Sequence, residues 1–483
     1  MYDVTVVGCG VVGASVAYEL SKYQMSVAIL EKENDIACGT TRANSAIVHA
    51  GYDPKPGTRM ARLNVAGSKM MEDLCSQLGV AYKRIGSFVI AFSAEDMDLL
   101  HELLRRGNAN GVEGLRILTK DEALEMDPKL NPDIFGALYA PTAAVVDPWG
   151  LAIALTQSSV QNGVDLFLNA QVTDIKKMGD HYQVKTIGKT VETKYIVNAA
   201  GTHSDQVNNL VAKPFFEIQP VRGEYYLMDK SQGELVQHTI FQTPNKDGKG
   251  VLVSPTVHGN LIVGPTADST KDPDDTSVTE KGLEKVAKTS VRSVAQINFR
   301  ESIRNFAGVR ATTKYEDDFI IEESKDAPQF INVAAIKSPG LSAAPAIGIE
   351  VREILQGIGL KCDKKNTPLT KFHKRILFKN MTDAERAEAL QRDPHYGRVV
   401  CRCETITEGD ILQVLHDPIP PVSIDGVKRR CNTGMGRCQG GFCGPRVHEI
   451  LSRELGIPME EILQDRTGSY LLTGQTKEGS VEK

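Results

Sequence analysis

No stretch of this chain approaches the roughly 20 consecutive apolar residues needed to span a bilayer. The N-terminus runs straight into an apolar β-branched segment, without the basic segment, apolar core and cleavage site of a secretory leader. The expected location is the cytoplasm, with membrane association only peripheral and through partners. A strong charge excess is missing too. A net charge of −5 and a pI near 6.1 give no reason to expect nucleic acid as a partner. No internal repeat is visible. Tryptophan is confined to Trp149, whose expected role is packing. Cysteine is thin over the first three quarters, where only Cys9, Cys38, Cys75 and Cys362 occur. What remains is the composition of a soluble globular protein, 41% hydrophobic and 24% charged, with 483 residues for two or three domains.

The first thirty residues carry the clearest pattern. Asp3-Val4-Thr5-Val6-Val7 is a β-branched run, followed at once by Gly8-Cys9-Gly10-Val11-Val12-Gly13. An amphipathic stretch then reaches about Lys22, and a second apolar run, Val27 to Leu30, ends at Glu31. Strand, glycine turn, helix, strand and acid is the order that holds a dinucleotide. Gly8 permits the turn, Gly10 admits a pyrophosphate and Gly13 lets the helix pack on the strand. The helix N-terminus faces the phosphates, and Glu31 is placed for ribose hydroxyls. These residues do not distinguish one dinucleotide from another. The loop from Gly39 to Tyr52 does: it is rich in small and hydroxyl residues, and Thr41 and Ser45 are candidates for phosphate contacts. A nicotinamide domain has no need of such a segment, whereas FAD lies extended across its domain.

Further on, helical spacing predicts a helix over 58–78, strand over 81–93, and helices over 95–105 and 147–161. Strands are expected at 164–167 and 170–175, with a hairpin over 181–191. Tyr195 to Gly201 reads as a buried strand ending in small residues, whose carboxyl end faces the cofactor. Gln219 to Leu227 opens a second sheet with strands near 250–254, 260–264, 305–310 and 318–322. The expected substrate domain is therefore an antiparallel sheet inserted mainly as 60–145 and 215–330. Phe330 to Ile336 is a last buried strand. The turn Lys337 to Pro345 leads into a helix to about Leu355, a second helix start near Gly340. Residues 361–398 read as a polar linker, 399–470 as a separate small domain and 471–483 as a disordered tail.

Residues 1–360 resemble the glycine/D-amino-acid-oxidase superfamily of FAD enzymes. Its L-2-hydroxyglutarate oxidase and anaerobic glycerol-3-phosphate dehydrogenase large-subunit branches are the nearest. Asn44 to Gly51, Pro220 to Tyr225, Gly264 to Ala267 and Ala307 to Arg310 carry the likeness. Arg398 to Glu404, Asp425 to Arg430 and Gly434 to Pro445 resemble the bacterioferritin-associated-ferredoxin-like (BFD-like) domain, found in the second branch and not the first. The implied architecture is α/β: a Rossmann-type FAD-binding domain with an inserted antiparallel-sheet substrate domain, plus a small C-terminal helical iron–sulfur domain. The implied FAD contacts are Gly8, Gly10, Val11, Val12, Gly13, Glu31, Lys32, Thr40, Thr41, Asn44, Ser45, Ile47 and His49. Further along the chain they are Val172, Ala199, Ala200, Gly201, Gly308, Arg310, Gly340, Leu341 and Ser342.

Cys401 and Cys403 form C-x-C, and Cys438 and Cys443 form C-x4-C. Each pair stands before a helix start, Thr407 as N-cap and Pro445 at N1. Spacing alone divides a [2Fe-2S] cluster from a tetrahedral zinc site nearly evenly, and the resemblance favours the cluster. Cys431, a fifth cysteine, is expected not to be a ligand. The implied reaction is oxidation of a small anionic secondary alcohol, sn-glycerol 3-phosphate first, with hydride passing to flavin N5. His49 is the candidate base, or a histidine that hydrogen-bonds flavin or backbone. Arg310 is the candidate grip on the anion, or a structural ion pair, and Arg222, Tyr225 and Lys337 are further pocket candidates. The rivals are L-2-hydroxyglutarate, another 2-hydroxy acid or an amine as substrate, and a non-catalytic electron-transfer subunit. Electrons are expected to leave through the cluster to a second flavoprotein subunit and a small cysteine-containing subunit.

Overall fold

The computed structural model describes residues 1–243, 250–314, 317–367 and 375–474. They form two compact units, one of Met1–Leu30 with Ala37–Phe372, the other of Glu31–Ile36 with His373–Lys483.

In the first unit the strand Tyr2–Val7 is central. It runs parallel to Val27–Leu30 on one side and to Lys189–Asn198 on the other, with Val4 opposite both Val27 and Tyr195. Asp165–Phe167 and Phe330–Ala334 extend this parallel sheet; the expected hairpin over 181–191 is His181–Thr186 with Lys189–Asn198, and Val172–Met178 adds to it at the edge. Val4, Val6, Ile29, Ile196 and Val197 are fully buried, as the unbroken β-branched runs require of strands covered on both faces. The helices Val11–Leu20 and Gly340–Gly357 pack on it in close approach. A β-carbon on Gly348 would lie 2.6 Å from the Ser15 carbonyl oxygen. The helix Arg59–Leu78, expected inside the insertion, belongs here instead: a β-carbon on Gly67 would lie 2.2 Å from the Ser342 carbonyl oxygen. The first strand of the second sheet is Ser87–Ala91.

That sheet runs in the order Asp268–Ser269, Ile218–Met228, Leu261–Gly264, Leu252–Pro255, Thr239–Gln242, Ser87–Ala91, Gly136–Ala140, Arg116–Thr119, and Ser302–Thr313 also pairs with Ile218–Met228. Every pair is antiparallel except Thr239–Gln242 with Ser87–Ala91. These two strands come from the separate inserted pieces, so no hairpin dictates their direction. Phe88, Ile90, Ile240, Val253 and Val263 form its core against Val286 of the helix Glu280–Ser290.

The second unit has its own core of Val400, Ile406, Ile411, Val414, Val427, Val447 and Leu451. Thr407 and Asp410 form a capping box at the start of Glu408–Leu415, and Ile424–Cys431 and Gly444–Leu455 complete the helical body. Residues 375–398, expected as a linker packed over the body, are anchored on this unit. The Phe378 N–H donates to Asp410 Oδ1 at 2.8 Å, Arg375 donates to the Arg430 carbonyl at 2.8 Å, and Leu377 packs on the core. Residues 368–374 of the expected linker and 475–483 of the expected tail lie outside the described residues.

This unit also takes in Asp35. Its carboxylate accepts from Arg429 Nη2 at 2.9 Å and from both terminal nitrogens of Arg430 at 2.8 Å, while Arg429 Nη1 reaches Asp465 at 2.7 Å. Asp35 and both arginine side chains are at most 2% exposed. Burial pushes the Asp35 carboxyl up, but the two guanidiniums outweigh it and hold the group well below the usual carboxylate range.

Candidate active site and cysteine site

The glycine turn has the geometry that a dinucleotide requires. Gly8 has φ +97°, and a β-carbon there would lie 2.5 Å from the Ala199 carbonyl oxygen; one on Gly13 would lie 2.0 Å from the Gly8 carbonyl oxygen. Neither position tolerates a side chain, so the two strand ends and the helix start close on one another. Gly10 is the N-cap of Val11–Leu20 and supplies no side-chain cap. Thr41 Oγ1 accepts the Val11 N–H at 2.9 Å, so its oxygen completes the helix start and leaves its hydroxyl proton to donate. Thr40 donates to the Val309 carbonyl at 2.6 Å. Ser45 pairs with the Tyr225 hydroxyl at 3.2 Å, which puts it on the side of the second sheet rather than with the helix start.

Asn44 holds the loop in shape, donating to the Thr41 carbonyl at 2.9 Å and accepting the Ala46 N–H at 2.8 Å. Trp149 does more than pack: its indole N–H donates to the Arg42 carbonyl at 2.9 Å. Ile47 is buried opposite Val145. The backbone N–H of His49 donates to Ser342 Oγ at 2.8 Å, and its Nε2 lies 3.3 Å from Ser338 Oγ. The ring stacks on Phe241, centroids 5.7 Å apart. The histidine is thus fixed between the turn before Gly340–Gly357 and the second sheet. The two helix starts share one apolar cluster, which contains Val11, Val12 and Leu341. Val172 and Ala200 pack with Val7 and Leu30 beyond the strand ends, and Gly201 begins a short turn of helix. Glu31 and Lys32 follow Leu30 directly and group with the second unit, where Glu31 accepts the Glu33 N–H at 3.0 Å.

Register sorts the pocket candidates. Val221 pairs with Arg310, Gly223 with Gly308 and Tyr225 with Phe306. Side chains alternate along a strand, so Arg310 and Tyr225 share one face and Arg222 lies on the other. The Tyr225 ring stacks on Phe306 at 4.8 Å, and Arg310 Nη1 donates to the Thr266 carbonyl at 3.3 Å. Gly308 is where the loop meets this face, since a β-carbon would lie 1.9 Å from the Ala43 carbonyl oxygen. Arg222 is instead bound to Asp275 at 2.7 Å and to the fully buried Glu224 at 3.3 Å. Lys337 pairs with Asp317. Of the three cations expected in the pocket, Arg222 and Lys337 are therefore committed to carboxylates, while Arg310 has a carbonyl partner. Ser338 and Phe241, which touch His49, and Thr266, which accepts from Arg310, were not among the expected site residues. Ser338 and Thr266 stood within stretches already singled out, Lys337 to Pro345 and Gly264 to Ala267, but nothing local marked Phe241.

In the second unit Cys401 lies beside Cys443, and Cys403 Sγ lies 3.7 Å from Cys438 Sγ. Two thiolates on one tetrahedral metal stand about 3.8 Å apart for metal–sulfur bonds of roughly 2.3 Å. Among the described residues, no three His, Cys, Asp or Glu side chains gather around a single ion position; the sulfurs form two pairs. Two irons with two thiolates each fit this arrangement. Cys443 beside it lowers the Cys401 thiol to about 6, and the Phe442 N–H lowers Cys438. A β-carbon on Gly436 would lie 2.2 Å from Cys403 Cβ, so only glycine admits that side chain. Cys431 faces elsewhere, bonded to Thr433 Oγ1 at 2.9 Å, and burial pushes its thiol up to about 11.

The family described as FAD dependent oxidoreductase matches residues 3–354, and the BFD-like [2Fe-2S] binding domain matches 399–453. A "Glycerol 3-phosphate dehydrogenase" of Caloramator mitchellensis is 50% identical over 99% of each chain. A "Glycerol 3-phosphate oxidase" of Mycoplasma pneumoniae is 36% identical over 75% of this chain and 96% of its own. The dithionite-reduced, FAD-bound L-α-glycerophosphate oxidase structure from that organism superimposes with a TM-score of 0.73, covering 77% of this chain and 98% of its own at 35% identity.

Proposed function

The chain belongs to the FAD-dependent oxidoreductase family, and we propose that it oxidises sn-glycerol 3-phosphate to dihydroxyacetone phosphate and passes the electrons to a protein rather than to oxygen. The observation that carries this reading is the end-to-end 50% identity to a glycerol 3-phosphate dehydrogenase, across both the flavin and the iron–sulfur regions. The oxidase relative is covered almost end to end by three quarters of this chain. The remaining length accommodates the iron–sulfur domain, for which an enzyme that reduces oxygen directly has no need.

The residues divide the work. The glycine turn and the start of Val11–Leu20 receive the pyrophosphate, with Thr41 donating beside them, and Glu31 takes the ribose. FAD, when bound, supplies the hydride acceptor. Arg310 grips the substrate phosphate, its guanidinium matching two phosphate oxygens at once. His49, fixed by Ser338, Ser342 and Phe241, takes the hydroxyl proton. Cys401, Cys403, Cys438 and Cys443 hold the [2Fe-2S] cluster, which supplies a one-electron carrier. The acceptor side is read as a second flavoprotein subunit and a small cysteine-containing subunit, in the cytoplasm. Among the described residues no helix is long and apolar enough to cross a membrane.

Anaerobic flavin bleaching with a panel of substrates tests the reading. Bleaching is expected with glycerol 3-phosphate; bleaching with 2-hydroxyglutarate alone would overturn it. Arg310→Leu is expected to lower kcat/KM by about 10- to 150-fold, the loss of a hydrogen bond to a charged group worth roughly 1.5–3 kcal/mol. Arg222→Gln should lower the melting temperature and leave KM unchanged.

A further inference from the structure

Electron exit requires a surface, and the two cysteine segments present one. Within 400–407 and 433–446 the charged residues are Arg402, Glu404, Arg437 and Arg446. All three arginines are exposed, each within three residues of a cysteine of the site. The single acid, Glu404, is buried and bound to Lys379 at 3.1 Å. The exposed charges of these two segments are thus all cationic, on a protein whose net charge is −5, and the exposed acid Glu449 follows one helical turn after Arg446. Cys403 is itself exposed and Cys438 partly so. Between Cys438 and Cys443, behind Gly440 and Gly441, Phe442 is 86% exposed, the most exposed large apolar side chain among the described residues. An exposed aromatic side chain among exposed arginines is the composition of a protein-docking patch.

We propose that Phe442, Arg402, Arg437 and Arg446 form the docking surface for an acidic one-electron carrier protein. The proposal rests on the reading that electrons leave through the cluster. Two successive dockings, each transferring one electron to an oxidised carrier, return the two-electron-reduced protein to its oxidised form. No bond is made or broken in the transfer.

The test uses the full-length holoenzyme and an acidic plant-type [2Fe-2S] ferredoxin as probe, with a basic c-type cytochrome as control, and measures binding by calorimetry at low and near-physiological salt. Ferredoxin is expected to bind, more weakly as salt rises. Arg446→Glu and Phe442→Ser are each expected to weaken it by about tenfold. The variants' visible circular dichroism and anaerobic flavin bleaching should match the wild type, which separates docking from cluster assembly. A wild-type protein without a cluster spectrum would remove the underlying reading. With the cluster present, the docking proposal falls if ferredoxin fails to bind, if both variants bind it as tightly as the wild type, or if the cytochrome binds better.

Discussion

Cys443→Ser is expected to abolish the visible cluster spectrum and the iron content while leaving anaerobic bleaching of the flavin by substrate intact. Cys443 is buried, beside Cys401 and placed at the start of Gly444–Leu455. A serine oxygen there offers iron a hard, neutral alcohol in place of a thiolate. The enzyme would still accept a hydride and lose its exit for electrons, so turnover with a protein acceptor should fall to background. Cys431→Ser is the contrast: that thiol is bonded to Thr433 and the Val427 carbonyl, and iron should be retained. Iron analysis and flavin spectra of the two variants check both statements. Iron lost from Cys431→Ser but kept in Cys443→Ser would reverse the assignment.

Asp35→Ala is expected to destabilise the second unit by about 3–5 kcal/mol, the cost of leaving buried guanidiniums without their carboxylate. Burial raises the Asp35 carboxyl and the stronger pull of Arg430 and Arg429 lowers it, so its folded value lies below the unfolded value of about 3.9. A depressed carboxylate contributes fully above its unfolded pKa and loses that contribution as pH falls. The wild type should therefore lose stability progressively below about pH 4, and the variant should lack this component. Urea denaturation followed by the loss of cluster absorbance, repeated across acid pH, measures both. A variant with the wild-type midpoint would show that the carboxylate contributes no net stability.

The parts of the molecule legible in the sequence are those fixed by local constraints. Gly8 and Gly13 could be read because a backbone carbonyl stands where their side chains would be. The cysteine pairs could be read because ligand chemistry restricts residue type. Arg222 was misplaced for a reason that parity exposes. It is three residues from Tyr225, so on a strand the two cannot share a face, and the Val221–Arg310 register puts the tyrosine with Arg310. The helix Arg59–Leu78 was legible as a helix, but its allegiance depended on Gly67 meeting Ser342, a contact without a periodic signature. Residues 375–398 read as a linker because their composition is polar, while Leu377, Phe378 and Arg375 anchor them individually. Asp35 was invisible, since its partners begin 394 residues away.

That separation has a consequence during biosynthesis. Asp35 leaves the ribosome long before Arg429, by roughly 20–80 s at about 5–20 residues per second. The last unit to be made thus waits on a peptide already released and already continuous with strand Val27–Leu30. A shortened gene beginning at residue 373 would encode every cysteine of the cluster and still lack one carboxylate that neutralises its buried arginines. The unit that inheritance would treat as a detachable cassette is, as a folding object, stitched into the first forty codons.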